Sequence, residues 1–421
     1  MKKIVKMSLA VAMMSGLGAV SAQAADGMGV LNNVKVKGQI RPRYEGVDDG
    51  NSATKNANAF TARTKLSINA GLLGVNGLTA NLGIISVNNL GTTNFNSGAN
   101  GHSNAASNGK YAKVVDPQDA MLSEAAINYT TGKVAAHVGR STINLDNQRF
   151  IGTVGWRQLE RSYDTSYLAY NDKKLSLLGA YIYGFAGVTG VRTTNTHSVI
   201  LHAVYKVMPA LKVTGYGYLI GSQSNTYGLA LTGKVNAGAK FTYRAEYAVQ
   251  KDPSIKTPGS TKAKADGTYI NLDLGANISG FLLGANYESL SGKTSSGANG
   301  FNPLLGTNHG FNGWADQFYV GYVPTGGLVD ANVRTGYKAK GFGKLLAVYH
   351  KFTAQSDTYT VDKNGAKSSN YGSELDVVYV NKIPGFKGLK GLVKYASYTG
   401  GDIVGRTNNV KKAWLMLTYK F

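Results

Sequence analysis

Apolar and polar residues alternate with a period of two along almost the whole chain. In the last segment Leu415, Leu417 and Phe421 share one face, whereas Lys412 and Lys420 lie on the other. A strand that turns one whole face to lipid must pair along both edges, because an unpaired backbone amide in hydrocarbon costs several kcal/mol. The pattern therefore predicts an all-β protein, a transmembrane antiparallel β-barrel in which the remaining strands have the same alternation.

Such strands can be followed from one end of the chain to the other. They are predicted at 34–41, 60–69, 76–89, 119–129, 133–141, 161–170, 174–184, 197–207, 211–221, 226–234, 239–250, 268–276, 280–290, 327–338, 344–354, 372–381, 388–399 and 411–421. One further apolar run, Phe318 to Val323, is an additional candidate.

Parity decides whether this run is a strand. If both termini are periplasmic, the strand number is even, and short periplasmic turns alternate with long extracellular loops. Short turns are predicted near Leu73, Thr131, Asp172, Pro209, Asn236 and Ser279, and long connections at 46–57, 90–118, 142–160, 251–267 and 355–371. Counting 318–323 as a strand would put the 355–371 connection on the periplasmic side. We therefore place it inside one loop of 291–326, which leaves about 18 strands, with 16 as the alternative if the weaker strands near 133 and 226 merge or fail.

The N-terminus carries the features of a secretory signal. Lys2, Lys3 and Lys6 precede an apolar run, and Ala22-Gln23-Ala24 fits a signal-peptidase site. The run is shorter than the roughly 20 residues of a membrane-spanning helix. We predict a Sec signal peptide at 1–24, cleavage after Ala24, a single barrel domain at 25–421 and a location in the outer membrane of a Gram-negative bacterium.

Composition narrows the class further. The chain has 54 Gly and 26 Tyr but only 8 Pro and no Cys, which suits twisted strands joined by turns and excludes a disulfide-stapled module. Without residues 1–24 it keeps 42 basic and 23 acidic residues, a net charge of +19. A barrel of this size encloses an aqueous channel, so positive charge facing the lumen would favour anions.

Several segments resemble the alginate-export family of outer-membrane barrels. They are Ile40 to Asp48, Ala57 to Lys65, Val115 to Pro117, Gly139 to Gly152, Gly155 to Gln158, Tyr163-Asp164 and Leu305 to Phe318. Together they lie in order over most of the chain. The resemblance implies a barrel that exports an anionic polysaccharide through an electropositive channel, although the fold also suits a general porin.

Basic residues occupy the strand faces opposite the lipid-facing rows. A cation facing lipid at the midplane costs roughly 2 to 4 kcal/mol, so these side chains are expected to point inward. The predicted pore-lining set is Lys35, Lys37, Arg41, Arg43, Arg63, Lys65, Arg140, Arg149, Arg157, Lys240, Arg244, Arg334 and Lys338. The other reading is ordinary wall charge paired with acids such as Glu246, Asp330, Glu374 and Asp376.

The loop at 142–160 is too long and too rich in special residues for a simple hairpin. We expect it to fold into the barrel, with its polar side chains bonding one another and its aromatic side chains wedged against the wall. The expected constriction residues in this loop are Asn144, Asp146, Asn147, Phe150, Trp156 and Gln158. The alternative is a structural latch, in which Asp146 and Asp164 hold Arg149 and Arg140.

The 291–326 loop is the second candidate for insertion into the lumen. Its expected constriction residues are Asn308, His309, Asn312, Trp314 and Asp316. A lone histidine among amides, with no second His or Cys at ligand spacing, predicts no metal site. Trp314 either stacks on a sugar ring or anchors the loop.

Three functions fit these features. The first is a passive outer-membrane channel for small, anionic hydrophilic solutes, with uronate or alginate-type saccharides as its narrower form and a general non-selective porin as its alternative. The second, an enzyme, is not predicted, because the histidines are scattered and no nucleophile motif accompanies them. The third is a structural or adhesive surface barrel.

The predicted partners follow from the channel reading. They are outer-membrane lipid and lipopolysaccharide, the barrel-assembly machinery through the C-terminal strand ending at Phe421, and small anionic solutes. No cofactor and no nucleic acid is expected.

Overall fold

The computed structural model describes residues 30–91, 94–98, 109–190, 193–318 and 323–421. The predicted signal peptide at 1–24 lies outside the described residues, as do residues 319–322 of the Phe318 to Val323 run. Over the described ranges, no helix is long and apolar enough to cross a membrane.

The described residues form eighteen antiparallel strands, each paired with its neighbours in sequence. They are β1 Leu31–Asp48, β2 Ala57–Leu72, β3 Leu78–Asn89, β4 Asp119–Thr131, β5 Val134–Ser141, β6 Ser162–Asn171, β7 Leu175–Ala186, β8 Thr194–Met208, β9 Leu211–Ile220, β10 Ser224–Ala237, β11 Ala239–Lys251, β12 Gly267–Ile278, β13 Phe281–Leu290, β14 Leu328–Ala339, β15 Gly343–Thr353, β16 Asn370–Lys382, β17 Leu389–Gly400 and β18 Val410–Lys420.

The first and last strands close the sheet into a barrel. Ile40 lies opposite Tyr419 and Tyr44 opposite Leu415. Gly38 exchanges two backbone hydrogen bonds with Phe421, of 2.8 and 3.1 Å. A Cβ atom at Gly38 would lie 2.1 Å from the Phe421 ring, so only glycine lets the terminal aromatic residue pack there. The predicted all-β barrel of 18 strands is confirmed.

The Phe318 to Val323 run lies between β13 and β14, which are consecutive neighbours in the sheet. Leu290 at the end of β13 lies opposite Leu328 at the start of β14. β13 and β14 thus pair with each other directly, and the prediction that the 318–323 run belongs to a loop falls largely on residues outside the described ranges.

Alternation assigns the two faces of the wall. In β12, the side chains of Ile270, Leu272 and Leu274 are 39, 51 and 64% exposed, whereas Asn271 between them is 5% exposed. The outer face is therefore apolar, and the inner face is polar and covered by other parts of the chain. This is the arrangement expected of a barrel in lipid with a polar lumen.

The two ends of the barrel differ. At one end, which we call the turn end, the strands are joined by short turns, some with left-handed residues such as Leu73 (φ 54°) and Ser279 (φ 50°). At the other, the loop end, long connections include loop A (142–161) and loop B (291–327). The largest buried apolar cluster combines Phe150 and Ile151 of loop A with Phe301 and Leu305 of loop B. These loops therefore supply much of the lumen core.

Replacing Leu272 by Lys tests the outer face. We expect the free energy of unfolding to fall by about 2 to 4 kcal/mol, because the cation would face hydrocarbon. The matched control is Asn286→Lys on the inner face of β13, which places the cation near Asp273 and should change stability by about 0.5 kcal/mol or less. Urea titrations in lipid vesicles measure both, and equal losses would contradict the assigned faces.

Candidate functional site

The site begins with cations on the inner faces of β1 and β2. Arg43 contacts the carboxylates of Asp116 and Glu45. Arg63 lies 2.7 Å from Glu160, and Lys65 bridges Glu160 and Glu124 at 2.5 and 2.9 Å. These predicted pore-lining cations do face the interior, but the same contacts compensate their charge.

Arg41 is bound differently. Its Nε donates to Gln158 Oε1 at 3.0 Å, and its Nη atoms donate to backbone carbonyls of loop A, including Gly155 at 2.9 Å. Gln158 in turn donates to Thr61 Oγ1 at 2.9 Å. Among the described residues no carboxylate forms a salt bridge with Arg41, so hydrogen bonds to loop A take the place of an ion pair at its guanidinium.

Loop A reaches the opposite part of the wall. The Phe150 ring lies 5.5 Å from Tyr216 on β9, 5.1 Å from Tyr269 on β12 and 5.6 Å from Phe301 of loop B. Loop A starts after β5, so these contacts carry it across the lumen. The predicted wedge role of Phe150 agrees with this packing.

Arg149 fastens the tip of loop A. Its Nε and Nη2 lie 2.8 and 3.0 Å from the two carboxylate oxygens of Glu288 on β13. It also donates to Asn308 at 3.0 Å and to Asn312 at 2.7 Å. The latch prediction named Asp146 as its partner, which is wrong, because Asp146 instead lies 2.5 Å from Arg244 on β11. Sequence proximity favoured Asp146, whereas Glu288 comes close only through barrel closure.

Loops A and B also pair through their backbones. Gly152 N–H donates to Leu305 C=O at 2.9 Å, and Thr307 N–H donates to Gln148 C=O at 2.8 Å. Inside loop A, Asn144 Oδ1 accepts from the Thr153 N–H at 3.0 Å, and Asn147 Oδ1 accepts from the Arg149 N–H at 3.1 Å. The side-chain oxygens of Asn144 and Asn147 therefore bind backbone N–H groups of loop A and stabilise its shape.

A buried lysine lies close to all three tryptophans of the chain. Lys394 Nζ on β17 lies 3.8, 4.3 and 5.2 Å from the ring centres of Trp314, Trp156 and Trp414. Its ammonium also lies 2.7 Å from His309 Nε2. This arrangement anchors both loops to the wall and agrees with the anchoring alternative for Trp314. Lys394 was not predicted, although the alternation places it on the inner face of its strand.

Asp316 of loop B lies where three donors converge. Its Oδ1 is 2.6 Å from His309 Nδ1, and its Oδ2 is 3.0 Å from Arg157 Nη2 and 2.9 Å from Lys412 Nζ. Burial alone would raise the pKa of the Asp316 carboxyl, but these contacts outweigh burial and hold that pKa well below its usual range. Burial lowers the pKa of His309 to about 3, so its imidazole is neutral at pH 7.

Loop B is held from the wall side by acids on β16. Ala315 N–H donates to Glu374 Oε1 at 2.7 Å, and Trp314 N–H donates to Asp376 Oδ2 at 3.1 Å. These acids were predicted to pair with wall cations. They bind loop amides instead, because loop B lies directly over β16.

A cavity of about 420 Å³ remains between these groups and the loop end. Its charged lining residues include Lys113, Arg157, Arg161, Asp316 and Lys412. Its apolar lining consists mainly of valines and one alanine, namely Val47, Val115, Val154, Val188, Ala315 and Val410. The cavity has the size and mixed chemistry of a small-molecule site.

The turn end of the lumen carries a set of lysines on inward rows, which we call the turn-end lysines. They are Lys35, Lys37, Lys206, Lys212, Lys234, Lys240, Lys338, Lys344, Lys382, Lys390 and Lys420. Lys206 lies directly opposite Lys212, Lys338 opposite Lys344 and Lys382 opposite Lys390. Like charges in directly opposed positions destabilise a sheet. Among the described residues, no carboxylate makes a salt bridge with any of them.

Only Lys35, Lys37, Lys240 and Lys338 of this set were predicted. The others occupy inward positions close to a turn, so the alternation carried a usable signal for them. Sequence reasoning left them out of the pore-lining set although it had included Lys240 and Lys338, which also lie near strand ends.

Two further predicted cations take different positions. Arg334 faces inward and pairs with Asp273 at 2.6 Å. Arg140 shares the row of Val138, which is 54% exposed on the outer face, and its Nε lies 2.7 Å from Asp164. The prediction that Arg140 lines the lumen is therefore wrong, since the short strand β5 turns its other face, with His137, inward. Its pairing with Asp164 was predicted by the latch reading.

Among the described residues, no group of three or more His, Asp and Glu side chains is placed to hold a metal ion. His309 uses one ring nitrogen on Asp316 and the other on Lys394.

No family model and no curated protein matches this chain. The chain does match solved structures. The chain is similar to Acinetobacter baumannii OccAB4 (TM-score 0.69, 15% identity, 93% of this chain and 98% of that chain). It is also similar to Pseudomonas aeruginosa OccK8 (OprE), with a TM-score of 0.69, 16% identity and 93 and 99% coverage. Pseudomonas aeruginosa OpdK with vanillate matches with a TM-score of 0.71, 11% identity and 93 and 100% coverage.

At this level of identity the likeness shows the fold. These neighbours are outer-membrane porin barrels of the Occ and Opd type rather than alginate-export proteins. The motif resemblance is thus supported only at the coarser level of a porin-type barrel.

Breaking the Arg149 contact tests how loop A is fastened. Arg149→Met leaves the Glu288 carboxylate buried without its partner and should cost about 3 to 5 kcal/mol in the free energy of unfolding. Arg149→Met combined with Glu288→Gln should recover part of the loss. The control Lys251→Met removes an exposed pair with Asp266 and should cost much less, because solvent screens exposed ion pairs. Urea titration compares the variants, and a loss for Arg149→Met no larger than the control's would contradict the assignment.

The pKa of His309 predicts a pH dependence. Its folded pKa of about 3 lies below the unfolded value of about 6.5, so the unfolded state binds more protons between these values. Stability should therefore fall as pH falls through this window, by about 1.4 kcal/mol per unit. The depressed pKa of Asp316 adds a loss of the same sign below about pH 4. Urea titrations at pH 7 and 5 measure the slope, and His309→Gln should flatten it. If His309→Gln has the same slope of stability against pH as the wild type, other groups cause the pH dependence.

Proposed function

We propose that this protein is a passive outer-membrane channel that favours small anionic solutes. The observation that carries the proposal is the set of turn-end lysines, which line one mouth of the lumen and make no salt bridge with a carboxylate of the described residues. Fixed cations around a water column raise the local concentration of anions and exclude cations.

The balance of paired and unpaired charge supports this reading. Around the loops, Arg43, Arg63, Arg149 and Arg157 all contact carboxylates, so they contribute little net field. Among the described residues, the cations without a salt bridge include the eleven turn-end lysines and Arg41, with Lys113 and Arg161 at the loop end. We infer that selectivity arises mainly at the turn end, while loops A and B set the width of the passage.

Placement in the membrane follows from the same proposal. The apolar outer wall fits the outer membrane of a Gram-negative bacterium, with the turn end in the periplasm and the loop end outside. Export through a Sec signal at 1–24, contact with lipid and lipopolysaccharide, and recognition of the strand ending at Phe421 by the barrel-assembly machinery belong to this proposal.

The narrower form concerns the solute. Uronate or alginate-type saccharides are supported by the motif resemblance, and OpdK with vanillate suggests that small carboxylates are the first solutes to test. Relative permeabilities of glucuronate, benzoate and glucose in liposome swelling rank these candidates. If glucose entered faster than both carboxylates, the result would favour a general porin.

Single-channel recording in a KCl gradient tests the anion preference. We expect a reversal potential of the anion-selective sign at 0.1 M, which weakens toward 1 M as the screening length falls from about 10 to about 3 Å. Changing Lys206, Lys212, Lys338 and Lys344 together to Gln should move the reversal potential toward zero, because it removes two opposed pairs of lumen cations.

The control removes the same charge at exposed loop positions, by changing Lys55, Lys110, Lys256 and Lys363 to Gln. It should leave the reversal potential nearly unchanged. Cation preference in the wild type, or equal effects of the two sets, would overturn the proposal, and an absence of current would favour a structural or adhesive barrel.

A further inference from the structure

The carboxylate of Asp316 lies in a place built for an anion. Both of its oxygens are satisfied, Oδ1 by His309 Nδ1 and Oδ2 by Arg157 and Lys412. The donors come from three parts of the chain, namely loop A, loop B and β18. Asp316 and His309 belong to the same loop, whereas the two cations are contributed from outside it.

These groups are open to a solute from one side. Arg157, His309, Asp316 and Lys412 all line the cavity of about 420 Å³. Arg161 and Lys113 line it too, and among the described residues neither makes a salt bridge. An anion in the cavity therefore meets these two cations as well as the donors of Asp316, with Asp49 as the other acid of the lining.

The backbone around the cavity is held away from its preferred conformations. Asp316 has φ 60°, and Val154, which also lines the cavity, has φ 54°. A β-branched residue rarely adopts the left-handed region, and such strain persists only where surrounding contacts impose it. Val154 belongs to loop A and its carbonyl accepts the backbone N–H of Arg157, so this conformation lies beside one of the donors of Asp316.

We propose that Arg157, Lys412 and the His309 N–H form a binding site for carboxylate solutes and that Asp316 is its tethered competitor. A solute carboxylate that enters from the cavity displaces the Asp316 carboxylate, takes over its donors and frees the end of loop B. The inference rests on the proposed channel function and deepens it, because it names the class of solute and the place where it binds.

Asp316 itself indicates the ligand class. A planar group with two oxygens satisfies the donors on both sides, and a charge-assisted contact to Arg or Lys is stronger than one to a neutral acceptor. A monocarboxylate reproduces both properties, whereas its neutral amide does not. The valines of the cavity leave room for a small apolar tail.

Tryptophan fluorescence reports on the surroundings of this site, because all three tryptophans of the chain lie close to Lys394, whose Nζ contacts His309. The full-length mature protein in detergent micelles is titrated with acetate, and with acetamide as the neutral isostere, at constant ionic strength. The variants are Asp316→Asn, which keeps the shape and removes the charge, and the control Asp273→Asn. Asp273 is also an inward carboxylate on an arginine, but it lies on β12 and binds Arg334.

We expect Asp316→Asn to bind acetate at least about tenfold more tightly than the wild type, since removing a competitor raises the fraction of open sites. Asp273→Asn should match the wild type, and acetamide should produce no saturable change. Equal affinities for Asp316→Asn and the wild type, or equal responses to acetate and acetamide, would overturn the proposal. An absence of saturable acetate binding to folded Asp316→Asn would do the same.

A second variant keeps the test decisive if Asp316→Asn does not assemble. Asp316→Ser also removes the competitor, and adding Lys412→Gln to it removes a donor, which should weaken acetate binding about tenfold relative to Asp316→Ser alone. Unchanged affinity would contradict the site. These titrations need no conduction, so a failure here is distinct from a failure of the channel proposal, which is decided by reversal potentials alone.

Discussion

Backbone pairing in a medium without water is the constraint on which the rest of this structure depends. Each wall strand needs a partner on both edges, and β1 provides the last one by pairing with both β2 and β18. The terminal Phe421 completes the ladder against Gly38. Closure leaves a wide interior that the wall side chains alone do not fill, so the long loops supply much of its core.

The interior separates charge into two zones. Around loops A and B, cations and acids meet in pairs such as Arg149 with Glu288, since a buried charge without a partner is costly. At the turn end the lysines make no salt bridge with the acids of the described ranges, and some are directly opposed to each other. A fold that needed only stability would avoid such opposed cations, which is why they carry the functional proposal.

Prediction worked where a local rule applied. Strand number and strand positions followed from alternation and parity, and the inward placement of Arg41, Arg63 and Arg244 followed from the cost of a cation in lipid. It failed at Arg140, where a short strand offered little contrast between its faces. Prediction also missed Lys394 and Arg161, because the contacts of both side chains depend on residues from distant parts of the chain.

The sequence by itself determined the barrel, because period-two alternation and turn chemistry are local properties that repeat in every strand. It also determined the excess of positive charge. Only the tertiary structure decided which carboxylate meets which cation, as with Glu288 rather than Asp146 at Arg149, because those pairs join residues separated by more than a hundred positions. Barrel closure sets such distances, and closure is a property of all eighteen strands together.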